Sequence, residues 1–90
     1  MNKAELAHAV AAELGITNKA AAAAIDATLG QIQSALTKGE SVKLTGFGTF
    51  EVRDRAERQG VKPGTSERVT IPAKRYPAFK AGKGLKDSIG

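Results

Sequence analysis

The stretch from Arg53 to Arg75 limits the chain more than any other, because it is patterned as a β-hairpin yet has nothing to bury. A strand-like run leaves Arg53, Gly60 and the cluster Lys62-Pro63-Gly64-Thr65 turn it, and a second run returns toward Arg75. Proline at the second position of a turn presets φ, and glycine supplies conformations that other residues avoid. The stretch carries seven bases (Arg53, Arg55, Arg58, Lys62, Arg68, Lys74, Arg75) against three acids (Asp54, Glu57, Glu67). Few apolar side chains fall between Arg53 and Arg68, and an isolated two-stranded ribbon is marginal in water. Such a ribbon reads as an arm that becomes ordered on a polyanion, with the rest of the chain as its base.

Charge distribution supports this reading. Residues 1–40 hold three bases against four acids, a net of −1, whereas residues 41–90 hold eleven bases against five acids, a net of +6. That asymmetry points to a nucleic-acid face in preference to an anionic membrane surface. With 90 residues the chain predicts one small domain. A chain of roughly 60 residues buries only about 60% of its unfolded surface, and about that much remains once the arm is set aside. A core shared within a homodimer is therefore expected. No cysteine is present to form disulfides or thiolate–metal sites, and the single histidine, His8, has no second imidazole to help hold a metal. No apolar run approaches the ~20 residues of a membrane span, and Met1–Glu5 has no signal-peptide core. The expected location is cytosolic, with no cofactor.

The first forty residues read as two helices. Asn2 is the predicted N-cap of the first, with Glu5 as its capping-box partner, Leu6, Val10 and Leu14 as an apolar stripe, and Gly15 as the stop. Thr17 is placed to cap a second helix that ends near Lys38 before Gly39. Within it the run Ala20–Ala24 is strongly helix-forming, and Ile25, Leu29, Ile32 and Leu36 form a heptad-like seam that reads as both core and dimer interface. A helix-turn-helix reader is disfavoured, since the second helix offers only Lys19 and Lys38 to a phosphate backbone. Beyond Gly39, Ser41–Thr45 alternates as a half-buried strand, Gly46-Phe47-Gly48 is a tight connection, and Thr49–Val52 opens the next strand. Phe47, Phe50 and Phe79 are the expected core anchors of the sheet. After the arm, Val69–Ile71 is expected to rejoin the sheet and Pro72 to end regular pairing. Lys80, Lys83 and Lys86 then lead into a terminal helix, with Leu85 and Ile89 as its buried edge. Gly46-Phe47-Gly48 lacks the third glycine of a dinucleotide fingerprint, and Gly82-Lys83-Gly84 lacks the hydroxyl of a P-loop. No acid pair or nucleophile–base pattern suggests an enzyme.

The segment from Gly46-Phe47-Gly48 through Arg55, Arg58 and Gly60 to Lys62-Pro63-Gly64-Thr65 resembles the signature of the bacterial HU/IHF family of histone-like DNA-bending proteins. Ile71-Pro72-Ala73 and Pro77-Ala78-Phe79-Lys80-Ala81-Gly82-Lys83 match its flanks, and the resemblance covers the whole chain. It implies an α+β fold: a two-helix N-terminal base, a three-stranded antiparallel sheet with a long β-ribbon arm, and a short C-terminal helix, in an intertwined dimer. Residues 1–40 would be its helical dimerisation half, and 41–90 the β-saddle, arm and last helix. It further implies minor-groove arms with Pro63 as an intercalating wedge, the mechanism known for HU and IHF. Arg53, Arg55, Arg58, Lys62, Lys74 and Arg75 are the candidate arm and saddle contacts, with Lys3, Lys80, Lys83 and Lys86 as weaker flanking ones. Kinked, nicked or junction DNA is the expected preferred partner, bound in the nucleoid. A site-specific bender of the IHF type and an RNA-binding, ribosome-associated protein are the alternatives. Val61 stands where many members carry arginine.

Overall fold

A computed structural model describes residues 1–90, as two compact units, Met1–Ala35 and Leu36–Gly90. In the first unit, α1 (Lys3–Leu14) begins where Asn2 Oδ1 accepts a 2.8 Å hydrogen bond from the Glu5 backbone N–H. It ends at Gly15, whose φ of 66° lets both its own N–H and that of Ile16 reach the Ala11 carbonyl. The second helix, α2 (Asn18–Thr37), starts from Thr17, whose Oγ1 accepts from the Ala20 N–H at 3.0 Å.

Buried apolar side chains are few: Ala7, Ala11 and Ala21, with Val10, Ala22 and Ile25 packed around them. The expected stripe of α1 is thus rotated. Only Val10 of that stripe touches this cluster, while Leu6 and Leu14 are exposed. The side chains withdrawn from water are small alanines from both helices, and Ala21 reaches zero exposure. Along the α2 seam Ile25, Ile32 and Leu36 are half-buried and Leu29 is 51% exposed. Leu6, Val10, Ala24, Ile25, Thr28 and Leu29 line an open apolar groove.

The second unit holds a three-stranded antiparallel sheet in the order β1-β2-β5, a separate two-stranded ribbon β3-β4, and a final helix α3 (Lys83–Ile89). Strand β1 (Val42–Leu44) turns into β2 (Gly48–Arg55) through Thr45–Phe47, with the Phe47 N–H donating to the Leu44 carbonyl at 2.9 Å. Strand β5 (Lys74–Ala81) pairs with β2 over its whole length, from Gly48↔Ala81 to Arg55↔Lys74. Its Pro77 is tolerated because β5 is an edge strand, where a missing N–H need not break a ladder.

The third sheet strand is therefore not Val69–Ile71. That segment lies in β4 (Arg68–Ile71) and pairs only with β3 (Arg58–Val61), beyond breaks at Ala56-Glu57 and Pro72-Ala73. Pro72 has no N–H to donate, which accounts for the interruption on its side. Gly60 likewise is no turn residue. It sits inside β3 opposite Val69, and a Cβ there would lie 2.9 Å from Ile71 Cδ1, so its bareness makes room for the isoleucine.

The three phenylalanines form one cluster on the sheet, Phe50–Phe79 at 4.8 Å and Phe47–Phe79 at 5.7 Å between ring centroids. Phe47 and Phe79 remain 49% and 41% exposed, so the cluster is open on one side within a single chain. In α3, Leu85 is half-buried, but Ile89 is 84% exposed and forms no buried edge.

Candidate nucleic-acid interface

Strand register sorts the basic residues of the sheet by face. Directly paired residues share a face, and alternate residues along a strand share it too. Phe50, Phe79, Val52, Pro77, Asp54 and Arg75 therefore lie on one side. The other side carries Lys43, Thr49, Lys80, Glu51, Ala78, Arg53, Tyr76, Arg55 and Lys74. Four of the sequence-predicted contacts (Arg53, Arg55, Lys74, Lys80) come together on this second face, where Glu51 is the only acid. β1 pairs only as far as Phe50, so beyond it β2 and β5 continue as two strands toward the ribbon.

Neighbours prepare two of these arginines. The Arg53 guanidinium donates twice to Glu51 Oε1, from Nε at 3.0 Å and Nη2 at 2.7 Å. These bonds, followed by the charge of Glu51, hold its pKa above the ordinary arginine value, so it is cationic at every relevant pH. Arg55 leans over the Tyr76 ring, 5.7 Å from its centroid. An exposed cation–π contact is worth about 0.5–1 kcal/mol, enough to bias the side chain without withdrawing it from a ligand.

Arg75 is placed differently from the other candidates. It lies on the phenylalanine side, opposite Asp54, with Nε 3.8 Å from Asp54 Oδ1. Its Nη2 sits 3.1 Å from where a Cβ on Gly39 would be, so the guanidinium covers the turn after α2. Lys3 is also engaged, donating to Asp26 Oδ1 at 2.8 Å on the surface of the helical unit. By contrast Arg58, Lys62, Lys74, Lys80, Lys83 and Lys86 are exposed and form no salt bridge.

The ribbon ends in a closed loop. Lys62 N–H donates to the Glu67 carbonyl at 2.9 Å, and Thr65 N–H donates to the Lys62 carbonyl at 3.1 Å. Gly64 has φ 79°, as the third position of a type II turn demands, which leaves Pro63 at the second position. The Thr65 hydroxyl donates to the Lys62 carbonyl at 3.1 Å and accepts from the Glu67 N–H at 3.2 Å. Pro63 is thus an exposed, rigid ring on a tied turn, with the exposed Val61 two residues before it.

Two bases of this surface were not among the sequence-predicted contacts. Lys43 faces outward from the edge strand β1, a position legible in the alternation Val42-Lys43-Leu44. Arg68 opposes Val61 in the ribbon, and only the register shows that pairing.

Comparison with known proteins shows the family. The whole chain, residues 1–90, matches the family described as "Bacterial DNA-binding protein". It is 53% identical over 89 residues to the DNA-binding protein HU of Staphylococcus aureus, covering 99% of both chains. Against the DNA-binding protein HU of Thermus thermophilus it is again 53% identical, covering 99% of this chain and 92% of that one. Among solved structures it is similar to Anabaena HU in a cocrystal with DNA, with a TM-score of 0.92 and 46% identity, covering 100% of this chain and 98% of that one.

Proposed function

We propose that the chain, which belongs to the HU/IHF family of bacterial DNA-binding proteins and is a non-enzymatic architectural binder of DNA of the HU type, acts as a homodimer whose two β-arms enter the minor groove and bend duplex DNA by wedging Pro63 between base pairs. The observation that carries this reading is the arm tip. A rigid ring without an N–H is held at the apex of a hydrogen-bonded turn, at the end of a ribbon that presents bases and buries almost nothing.

Opening a base step costs a few kcal/mol, and the wider contact that a bent duplex makes with the protein offsets it. Arg53, Arg55, Arg58, Lys62 and Lys74 supply that contact through phosphates and the groove. Lys80, Lys83 and Lys86 extend it, and Lys3 joins once it exchanges Asp26 for a phosphate. Low sequence preference follows from the same chemistry. Gln59 is the arm's only side-chain amide, and its Nε2 donates to Thr70 Oγ1 at 3.3 Å instead of pointing free. Arginine in a minor groove distinguishes mainly A·T from G·C and reads groove width.

A second copy of the chain is needed on physical grounds. Three buried alanines are a very small core, while Leu6, Leu29, Phe47 and Phe79 are left exposed in one chain. We place the dimer on the Ile25, Leu29, Ile32 and Leu36 seam and on the Phe47, Phe50 and Phe79 cluster, and the protein in the cytoplasmic nucleoid.

The test is a gel-shift comparison of linear, nicked and four-way-junction duplexes, with A-form RNA as competitor. Tighter binding to the nicked and junction forms, and weak competition by RNA, are expected. Equal affinity for all three DNA forms would remove bending from the account, and preference for RNA would replace DNA as the ligand.

A further inference from the structure

We propose that Lys43 is a further DNA contact, acting with Thr49 and Lys80 as one phosphate-binding rung across the sheet, outside the arms. The inference rests on the DNA-binding reading above and adds a site to it.

Register carries the argument. Lys43 is opposite Thr49 on one side of β2, and Lys80 is opposite Thr49 on the other. Directly opposed residues project from the same face, so the three side chains form a row across the strands. With strands about 4.8 Å apart, the Cα atoms of the two lysines are separated by roughly 10 Å. Both lysines are exposed, and neither forms a salt bridge. Glu51 is the only acid on that face, and its Oε1 is already bound twice by Arg53. Thr49 between the lysines is uncharged and adds a hydroxyl that can donate to the same anion.

Two ammonium groups thus flank a hydroxyl with no counter-charge from the protein, an arrangement that a phosphate completes. The row also continues the basic track. Arg53, Arg55 and Lys74 follow it along the same face toward the arm, so a backbone lying on Lys43 and Lys80 is already aligned with the ribbon. Lys38 provides the contrast: it is a lysine of similar exposure near the end of α2 and takes no part in this row.

The test uses the intact protein and a linear duplex, with affinity measured over a series of salt concentrations. Each phosphate contact contributes about 0.9 to the slope of log K against log salt. Lys43→Gln should therefore lower the slope by roughly two units for the two copies in a dimer, as should Lys80→Gln, with additive losses in the double variant. Lys43→Arg, which keeps the charge, should retain the parent slope, and Lys38→Gln should also leave it unchanged. A Lys43→Gln slope equal to that of Lys38→Gln overturns the rung, as does a loss in Lys43→Arg as large as in Lys43→Gln. Arg55→Ala separates the two levels of the argument. If it lowers the slope and Lys43→Gln does not, the rung alone fails. If parent binding has no salt dependence, the DNA reading fails and the rung with it.

Discussion

The side chains left in water by the Met1–Ala35 unit include five large apolar ones, Met1, Leu6, Leu14, Ile16 and Leu29, beside charged residues that nearly balance. In the Leu36–Gly90 unit they are of two kinds, kept apart by strand register. One sheet face carries the half-open phenylalanine cluster, and the other carries Lys43, Arg53, Arg55, Lys74 and Lys80. Apolar surface is withdrawn from water by another apolar surface, whereas a face of clustered exposed cations, with Glu51 as its one acid, attracts a polyanion. The helical unit therefore calls for another copy of the chain, and the β unit calls for both that copy and a polyanion. Substitutions in the first set should change folding, and substitutions in the second should change binding.

The largest expected effect is on stability. Leu29→Ala removes a side chain that is 51% exposed in one chain and covered in the proposed dimer. If it is buried there, the loss should be ~2–5 kcal/mol. Its melting temperature, like the parent's, should rise with protein concentration. A small loss, below about 0.5 kcal/mol as for ordinary surface sites, together with a melting point independent of concentration, would break the comparison on its helical side.

Next in size is a contrast between two arginines that sequence alone puts in one class. Arg55→Ala should lower the salt slope by about 0.9 for each phosphate lost in each arm, with little change in melting. Arg75→Ala removes a group on the phenylalanine side, near Asp54 and over Gly39. Its slope should change less than that of Arg55→Ala, and its effect should fall on melting temperature instead. Equal slopes for the two variants would show that sheet face does not decide which arginine meets DNA.

Much of this was legible in the sequence because it is written in local chemistry. Asn2, Gly15 and Thr17 mark helix ends by hydrogen bonds that span only a few residues. The tip Lys62-Pro63-Gly64-Thr65 declares a turn for the same reason. What stayed hidden depends on register and on what lies across a gap. Val69–Ile71 has strand character, but only pairing decides that it joins the ribbon while Lys74–Ala81 joins the sheet. The adjacent bases Lys74 and Arg75 look alike in sequence, yet period-two alternation sends them to opposite faces. Leu6 and Leu14 gave α1 an apolar stripe, but the side chains of α1 that are buried are the small Ala7 and Ala11, which a pattern of large apolar residues does not mark. Gly60 looked like a turn because nothing local reveals that Ile71 fills the space above it.

In the proposed mechanism charge accounts for binding and the Pro63 wedge for bending, so Pro63→Ala tests the central claim most directly. The substitution keeps every charge and lies at an exposed tip, so the melting temperature should stay within the small range of surface changes. A nicked duplex has already met much of the unstacking cost, whereas an intact duplex has not. The measurement is the ratio of affinities for nicked over linear duplex, read beside the end-to-end distance of the bound linear DNA by fluorescence transfer. The account predicts that in Pro63→Ala the ratio rises and the ends move apart, with the salt slope preserved. A variant that bends linear duplex as fully as the parent would contradict it and would shift attention to Val61.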